Sequence, residues 1–187
     1  MLFNSSDAPS QIWQNVLHEL HRGALDPKHP FRFLTLATSG GQFPQVRTVV
    51  LREFTSAMEF LVYTDVRTAK VKDLLETPRV SLLFYHPKKQ VQVRVKAIAA
   101  LHVEDAVAQE NWKRVSEKRQ SEYKSRLAPG TRIETPDLGW ESCSETAHFS
   151  VLKFSPLSIE VLQLAQEGHL RMQFELAAGG QGTWLVP

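Results

Sequence analysis

The chain is poor in the residues that build several common site types. It holds a single cysteine, Cys143, in 187 residues, so no disulfide forms within it, and such scarcity fits a reducing compartment. No activating partner accompanies Cys143 in "WESCSET", which reads as an ordinary thiol. There is no Cys-x-x-Cys pair, and the seven histidines stand scattered at 18, 21, 29, 86, 102, 148 and 169. No metal-ligand spacing emerges from them, so no metal is expected. Neither Gly-x-Gly-x-x-Gly nor a Gly-Lys-Ser/Thr loop occurs, which sets aside a Rossmann dinucleotide site and a P-loop. Gly-x-Ser-x-Gly, the nucleophile elbow, is also missing. No apolar run approaches a membrane span, and "MLFNSSDAPSQIW" lacks the basic stretch and apolar core of a secretory leader. Charge of one sign is scarce too: 22 basic against 20 acidic residues leave a formal net charge of +2. A bulk nucleic-acid binder usually shows a basic face or run, so a basic site here must be local. These absences predict a cytoplasmic protein with neither nucleic acid nor membrane as a partner.

What is present is ordinary in amount. A hydrophobic content of 42% and a charged content of 22% suit one domain with a real core, expected to run over 1–187. Pro9 and the stripe Ile12, Trp13, Val16, Leu17 and Leu20 predict a helix over about 9–22, stopping near Gly23. The pattern then turns strand-like. "FRFLTLATS" reads with Phe31, Phe33, Thr35 and Ala37 in alternation, and "QVRTVVLR" (45–52) is its hairpin partner across "SGGQFPQ". "AMEFLVYT" (57–64) is a further strand, "TAKVKDLLET" (68–77) a short helix, and 79–86 with 90–103 another hairpin. In the last, Val91, Val93, Val95 and Ala97 alternate with Gln92, Arg94 and Lys96. A helix is expected over 104–125, then an aperiodic Pro- and Gly-rich segment to about 146. Closing strands fill about 147–187, with "HFSVLKFSP" and "SIEVLQL" as separate strands. Hairpins without regular βαβ alternation favour a mostly β fold, a small antiparallel barrel with peripheral helices.

Polar groups collect at the ends of successive strands. Arg47 and Arg52 flank "TVVL". "YTDVRTAK" supplies Tyr63, Thr64, Arg67, Thr68 and Lys70 where the short helix starts, and Gln90 stands at a later turn. Cations beside the free amides of a helix N-terminus make an anion site. Each strand-end charge alone reads more readily as a solvated cap than as a ligand group, and it is their combination that points to a site.

The ordered series "RTVVLR…FLVYTDVRTAKVKDLLETPRVSLLFYHPKKQVQVRVKA" resembles the core of the pyridoxamine 5′-phosphate oxidase-like flavoproteins over roughly residues 30 to 103. The resemblance implies an FMN-binding split β-barrel, antiparallel and Greek-key-like, and a homodimer with FMN at its interface. It implies an FMN-dependent oxidoreductase acting on a small molecule. Carried over by position, Arg47, Thr68 and Lys70 surround the FMN phosphate with Arg67 close by. Thr48, Val49 and Val50 border the flavin, Tyr63 and Thr64 lie along the cofactor, and Gln90 meets the polar edge of the ring. Arg52, Arg119, Ser121 and Arg171 are the corresponding substrate-binding candidates. This chain departs from the family where the vitamin B6 substrate is held. Arg52 replaces a lysine, Glu117 stands where "SEKRQS" should begin an Arg-Pro-Arg-x-Ser pattern, Leu162 replaces a tryptophan, and "HLRMQFE" replaces Arg-Leu-His-Asp-Arg. A genuine pyridoxamine/pyridoxine 5′-phosphate oxidase and a flavin-binding module without turnover therefore stay open beside an oxidoreductase of another substrate.

Overall fold

A computed structural model describes residues 1–137 and 147–187. Cys143 and the end of the Pro- and Gly-rich segment lie outside the described residues. Helix α1 spans Pro9–Leu25, three residues past the expected end, with Pro in its first turn. Its buried face is Ile12, Val16 and Leu20, with Glu19 and Gly23 on the same side. Strands β1 (Phe33–Gly40), β2 (Phe43–Val50), β3 (Glu53–Phe54) and β4 (Phe60–Asp65) precede helix α2 (Ala69–Glu76). Then come β5 (Arg79–His86), β6 (Val91–His102), helices α3 (Ala106–Lys113) and α4 (Glu117–Gln120), and β7 (Phe149–Gln163), β8 (Leu170–Glu175) and β9 (Gln181–Leu185).

All pairings are antiparallel, in the order β2-β1-β5-β6-β7-β4-β3, with β8 on β7 and β9 on β8. Strand β7 makes the fold. Along one edge it pairs with β6; along the other its first residues, 149–154, pair with β4 and its last, 158–163, with β8. β4 and β8 thus diverge from one edge, and the sheet curls without closing. The bend has a local cause: Lys96 faces Ser158 while Ala97 faces Pro156, so Leu157 is an extra residue in β7. Such a bulge twists the strand and accommodates Pro156, which has no N–H for the ladder. The sequence expectation of two strands over 147–163 is corrected to one bent strand.

The core is aromatic through its middle. Phe31, Phe60, Phe84, Phe154 and Phe174 are fully buried, with Phe54 on Phe60 at 4.7 Å, Phe60 on Phe84 at 5.7 Å and Phe31 on Phe84 at 5.4 Å between centroids. Val91, Val93, Val95 and Ala97 face this core as their alternation predicts. The phase of β1 is the opposite of that expected. Leu34, Leu36 and Thr38 point inward while Phe33 is exposed. A 3-10 turn over Pro30–Arg32 buries Phe31 by itself, and a one-residue slip in phase reverses every face of the strand that follows.

The expected helix over 104–125 is also corrected: it breaks into α3, α4 and a further 3-10 turn. Trp112 and Tyr123 both pack on Phe149, at 5.0 and 5.1 Å, and lie 6.0 Å apart. On one straight helix they would be separated by about 16 Å. Sharing one ring requires the break, and Val115 fills it in the same cluster.

Candidate functional site

The first polar centre lies where β1 and β2 meet α2. Arg47, opposite Leu36 on the β1–β2 ladder, donates from Nη1 to Thr38 Oγ1 at 2.6 Å. Thr38 in turn donates to Asp73 Oδ2 at 2.6 Å, and Arg47 Nη2 stands 3.5 Å from the same oxygen. Helix α2 can come this close because β1 ends in glycine: a Cβ on Gly40 would collide with the Asp73 carboxylate. Lys70 Nζ donates to Thr64 Oγ1 at 2.9 Å, and no carboxylate pairs with it among the described residues. Burial holds Lys70 below the ordinary lysine value, the Arg47 charge lowers it further, and Asp65 offsets part of this. Thr68, at the N-cap position of α2, donates to Asp65 O at 2.9 Å and leaves the first turn without a side-chain cap. Thr64 and Thr68 are buried, with their hydroxyls 3.4 Å apart.

Arg47, Thr64, Thr68 and Lys70 therefore lie together around the start of α2. Arg67 stands apart from them. Its guanidinium grips Asp65 at 2.7 and 3.1 Å and reaches Ser125 Oγ and O at 3.1 Å. Val49 packs on the core, Val50 is half-buried and Thr48 is exposed.

A second centre is a cavity of about 260 Å³ between the end of β2 and the α3–α4 break, lined by Arg52, Tyr63, Arg114, Ser116, Arg119 and Tyr123. The Arg52 guanidinium carbon lies 5.3 Å from the centroid of the Tyr63 ring, and its Nε is buried without a hydrogen-bond partner. The Tyr63 hydroxyl donates to Asn111 Oδ1 at 2.8 Å, and buried Asn111 donates to Val107 O at 2.9 Å. Arg114 has its own carboxylates, Glu53 at 2.8 Å and Glu110 at 2.6 Å. Arg52 and Arg119 have none among the described residues. Their charge is felt nearby: burial, then Arg52 and Arg119, hold Arg32 below the usual arginine value. Burial raises the phenols of Tyr63 and Tyr123, and neighbouring arginines oppose it.

The remaining candidates fall elsewhere. Ser121 donates to Lys118 O at 3.0 Å, exposed. Arg171 pairs with Glu160 at 2.9 Å, beside Arg94. Gln90 sits in the β5–β6 turn. The rung through Arg47 continues through Leu36 and Leu82 to Val95, so Gln90 lies about 17 Å further along the sheet. Within one chain it does not meet Arg47. Sequence reading missed Thr38, Asp73, Asn111 and Tyr123. Of these only Asp73 carried a signal, one helical turn beyond Lys70.

A split, open antiparallel barrel with a gathered cationic centre at a helix start defines a class of small cofactor-binding β-proteins, and comparison narrows it. Residues 10–103 match the family described as "Pyridoxamine 5'-phosphate oxidase, FMN-binding domain". The match takes in half of the chain, which therefore belongs to this family, and FMN is the family's cofactor. The chain is 28% identical over 97 residues to "Pyridoxine/pyridoxamine 5'-phosphate oxidase 2" of Hydrogenovibrio crunogenus, covering 52% of this chain and 44% of that protein. It is 39% identical over 75 residues to the pyridoxine/pyridoxamine 5′-phosphate oxidase of Acinetobacter baumannii, covering 40% and 34%. The chain thus spans less than half the length of these curated relatives.

Two solved structures share the fold across the whole chain. One is a pyridoxamine 5′-phosphate oxidase-related, FMN-binding protein of Nostoc punctiforme, with TM-score 0.75, 22% identity, and coverage of 97% of this chain and 100% of that one. The other is PhzG of Burkholderia lata in complex with tetrahydrophenazine-1-carboxylic acid, with TM-score 0.76, 17% identity, and coverage of 100% and 98%. No helix among the described residues is long and apolar enough to cross a membrane.

Proposed function

We propose that Arg47, Thr64, Thr68 and Lys70 hold the FMN phosphate, and that the protein is an FMN-dependent oxidoreductase acting on a small anionic molecule. The observation that carries this is Lys70: a largely buried ammonium beside Arg47, with a hydroxyl as its hydrogen-bond partner and no paired carboxylate. Two cations that share a single carboxylate, Asp73 on the Arg47 side, suit a phosphate, and the uncapped first turn of α2 adds amides of the right polarity. Thr48, Val49 and Val50 supply backbone and apolar wall for the ring, with Tyr63 alongside. When bound, FMN supplies the two-electron acceptor. The chain's part is to fix its phosphate, shield its ring and orient the substrate.

Gln90 lies about 17 Å along the sheet from the Arg47 rung, and in this reading the protein is a homodimer with FMN between two copies, one giving the phosphate site and the other Gln90. Arg52 and Arg119 offer guanidinium groups with no carboxylate partner among the described residues to an anionic group of the substrate. Glu117 in an arginine's place, and Arg171 bound to Glu160, argue for a substrate other than pyridoxamine 5′-phosphate. The aromatic carboxylate held by PhzG belongs to a class worth assaying. A cytoplasmic setting is part of the same reading.

Fluorescence titration of the purified protein with FMN and with riboflavin tests the phosphate assignment. Binding of FMN about 100-fold tighter than riboflavin is expected from two charge-assisted contacts, and Lys70→Met should narrow that ratio about tenfold. Equal affinity for the two flavins would reject the phosphate site. Peroxide release on pyridoxamine 5′-phosphate, set against aromatic carboxylates in reduced form, separates the substrate readings.

A further inference from the structure

The turn that presents Gln90 is held by a buried group of titratable side chains. Gln90 has φ 51°, a left-handed conformation costly for a residue with a Cβ and found where surroundings over-determine it. Its side chain is exposed, but its backbone is tied on several sides. Its C=O accepts from the Leu164 N–H at 2.9 Å and from Gln163 Nε2 at 3.2 Å. Gln163 also donates to Lys89 O at 2.8 Å and accepts from the Leu2 N–H at 2.7 Å. Lys89, the preceding residue, sends Nζ to Glu19 Oε1 on α1 at 2.7 Å, and its backbone N–H donates to His86 Nδ1 at 3.2 Å.

Glu19 is 1% exposed and is the hub. His29 Nε2 lies 3.2 Å and His86 Nε2 3.8 Å from its Oε2, and Arg22 Nη1 is 3.5 Å from Oε1. The Phe31 N–H donates to His29 Nδ1 at 3.1 Å. A backbone N–H only donates, so both Nδ1 atoms are acceptors and both neutral rings carry their proton on Nε2, toward the carboxylate. The same assignment speaks against a metal ion, although the three candidate ligand atoms lie within 4.8 Å of one another. A metal on either Nε2 would put a proton on Nδ1, against a backbone donor. The cluster closes by itself: one carboxylate, one ammonium close to it, and two neutral imidazoles.

Acid has one place to act on these rings. On His86 a second proton can go only to Nδ1, where it opposes the Lys89 N–H. The groups facing His86 are Glu19 from α1, with Arg22 behind it, His29 from the segment before β1, and Lys89 from its own turn. Burial lowers His86 below the ordinary imidazole value; Glu19 opposes this, while Lys89 and His29 add to it. The folded protein therefore binds this proton less readily than the unfolded chain. The arrangement is complete above about pH 6.5 and weakens as pH falls below it.

We propose that Glu19, His29 and His86 are positioning residues for Gln90: acting through Lys89, they hold the strained turn that presents it, and they do so only while the His86 imidazole is neutral. The inference rests on the reading that Gln90 meets the flavin, and it gives FMN retention an acid limit.

His86→Asn tests it, because the Asn Oδ1 can accept the Lys89 N–H in place of Nδ1 and does not titrate. FMN dissociation constants are measured by flavin fluorescence for both proteins between about pH 8 and about pH 5.5. The FMN phosphate titrates in this range and weakens binding in both, so the difference between the two profiles is the readout. The wild type is expected to lose about fivefold more affinity than the variant across the range. Parallel profiles would overturn the proposal. Amide exchange of Lys89 in the wild type, corrected for intrinsic rates, is a second measurement that needs no variant. Protection should fall in acid, and unchanged protection would overturn the proposal. Gln90→Ala at about pH 8 tests the underlying reading separately. An unchanged dissociation constant there rejects the flavin contact, whereas weaker binding with parallel His86→Asn profiles rejects the positioning role alone.

Discussion

The Glu160 triad and the Arg52 cavity gather the same guanidinium groups and treat them in opposite ways. Glu160 takes Arg94 at 3.0 and 2.5 Å and Arg171 at 2.9 Å. Burial pushes its carboxyl upward, but Arg171 and then Arg94 outweigh it and hold it below the usual value. In the cavity the carboxylates Glu53 and Glu110 are both taken up by Arg114. Arg52 and Arg119 face two phenols, and both press on Arg32. A cation with its own carboxylate stabilises the fold; one kept half-buried without a carboxylate, as Arg52 is, marks a place for an anion. Lys70 belongs with the cavity, Arg67, bound by Asp65, belongs with the triad, and Arg47, with Asp73 3.5 Å away, stands between the two.

The sharpest break in that contrast is Arg47→Ala combined with Lys70→Ala. It removes two charge-assisted contacts of about 1.5–3 kcal/mol each, so FMN affinity should fall by about 100-fold or more, while loss of the Arg47 contacts with Thr38 and Asp73 lowers stability in urea by about 1–3 kcal/mol. Undiminished affinity in the fluorescence titration would place the phosphate elsewhere. Asp65→Asn makes the opposite cut. It strands the Arg67 guanidinium against Ser125 and should cost about 2–3 kcal/mol of stability, with FMN affinity held within about threefold. A larger loss of FMN than of stability would move Arg67 into the cofactor site.

Glu160→Gln should cost about 1–2 kcal/mol at neutral pH, read from urea unfolding. The wild-type carboxyl is held low in the folded state. Its contribution is therefore complete above about pH 4.5 and is lost as pH falls below that value. The variant should lack this acid dependence. The smallest effect on folding is expected from Arg52→Met, within about 0.5 kcal/mol, because the lost contact with Tyr63 is offset by relief among Arg32, Arg52 and Arg119. Thermal shifts with added phosphate or benzoate should rise in the wild type and vanish in the variant. A cost of several kcal/mol without any ligand would mark Arg52 as a structural cation after all.

Much of the architecture was legible because it rests on short-range periodicity. The alternation Val91, Val93, Val95, Ala97 and the stripe Ile12, Val16, Leu20 needed no partner to be read. Misreadings came where a local pattern met a distant demand. Phe31 and Phe33 look like one strand face, yet Phe31 is buried in a turn against Phe84 and Phe33 is exposed. Trp112 and Tyr123 suit one helix until both must reach Phe149. Glu19 falls within the apolar stripe of α1, and its burial makes sense only with Lys89, His29 and His86 around it. At the candidate site, the strand-end residues Arg47, Thr64, Thr68 and Lys70 could be named in advance. Thr38 and Asp73, which hold Arg47, could not.

The order of elements, the mostly β character and the basic strand ends follow from the chain itself, because each depends on neighbours a few residues away. Which basic groups are neutralised does not. Glu160 and Arg94 are 66 residues apart, and Arg67 reaches Ser125 across 58. Like guanidinium groups become a structural brace or an anion seat according to which carboxylates the sheet brings beside them. Coulomb interaction falls off with distance and with water between the charges, so only the folded arrangement decides it.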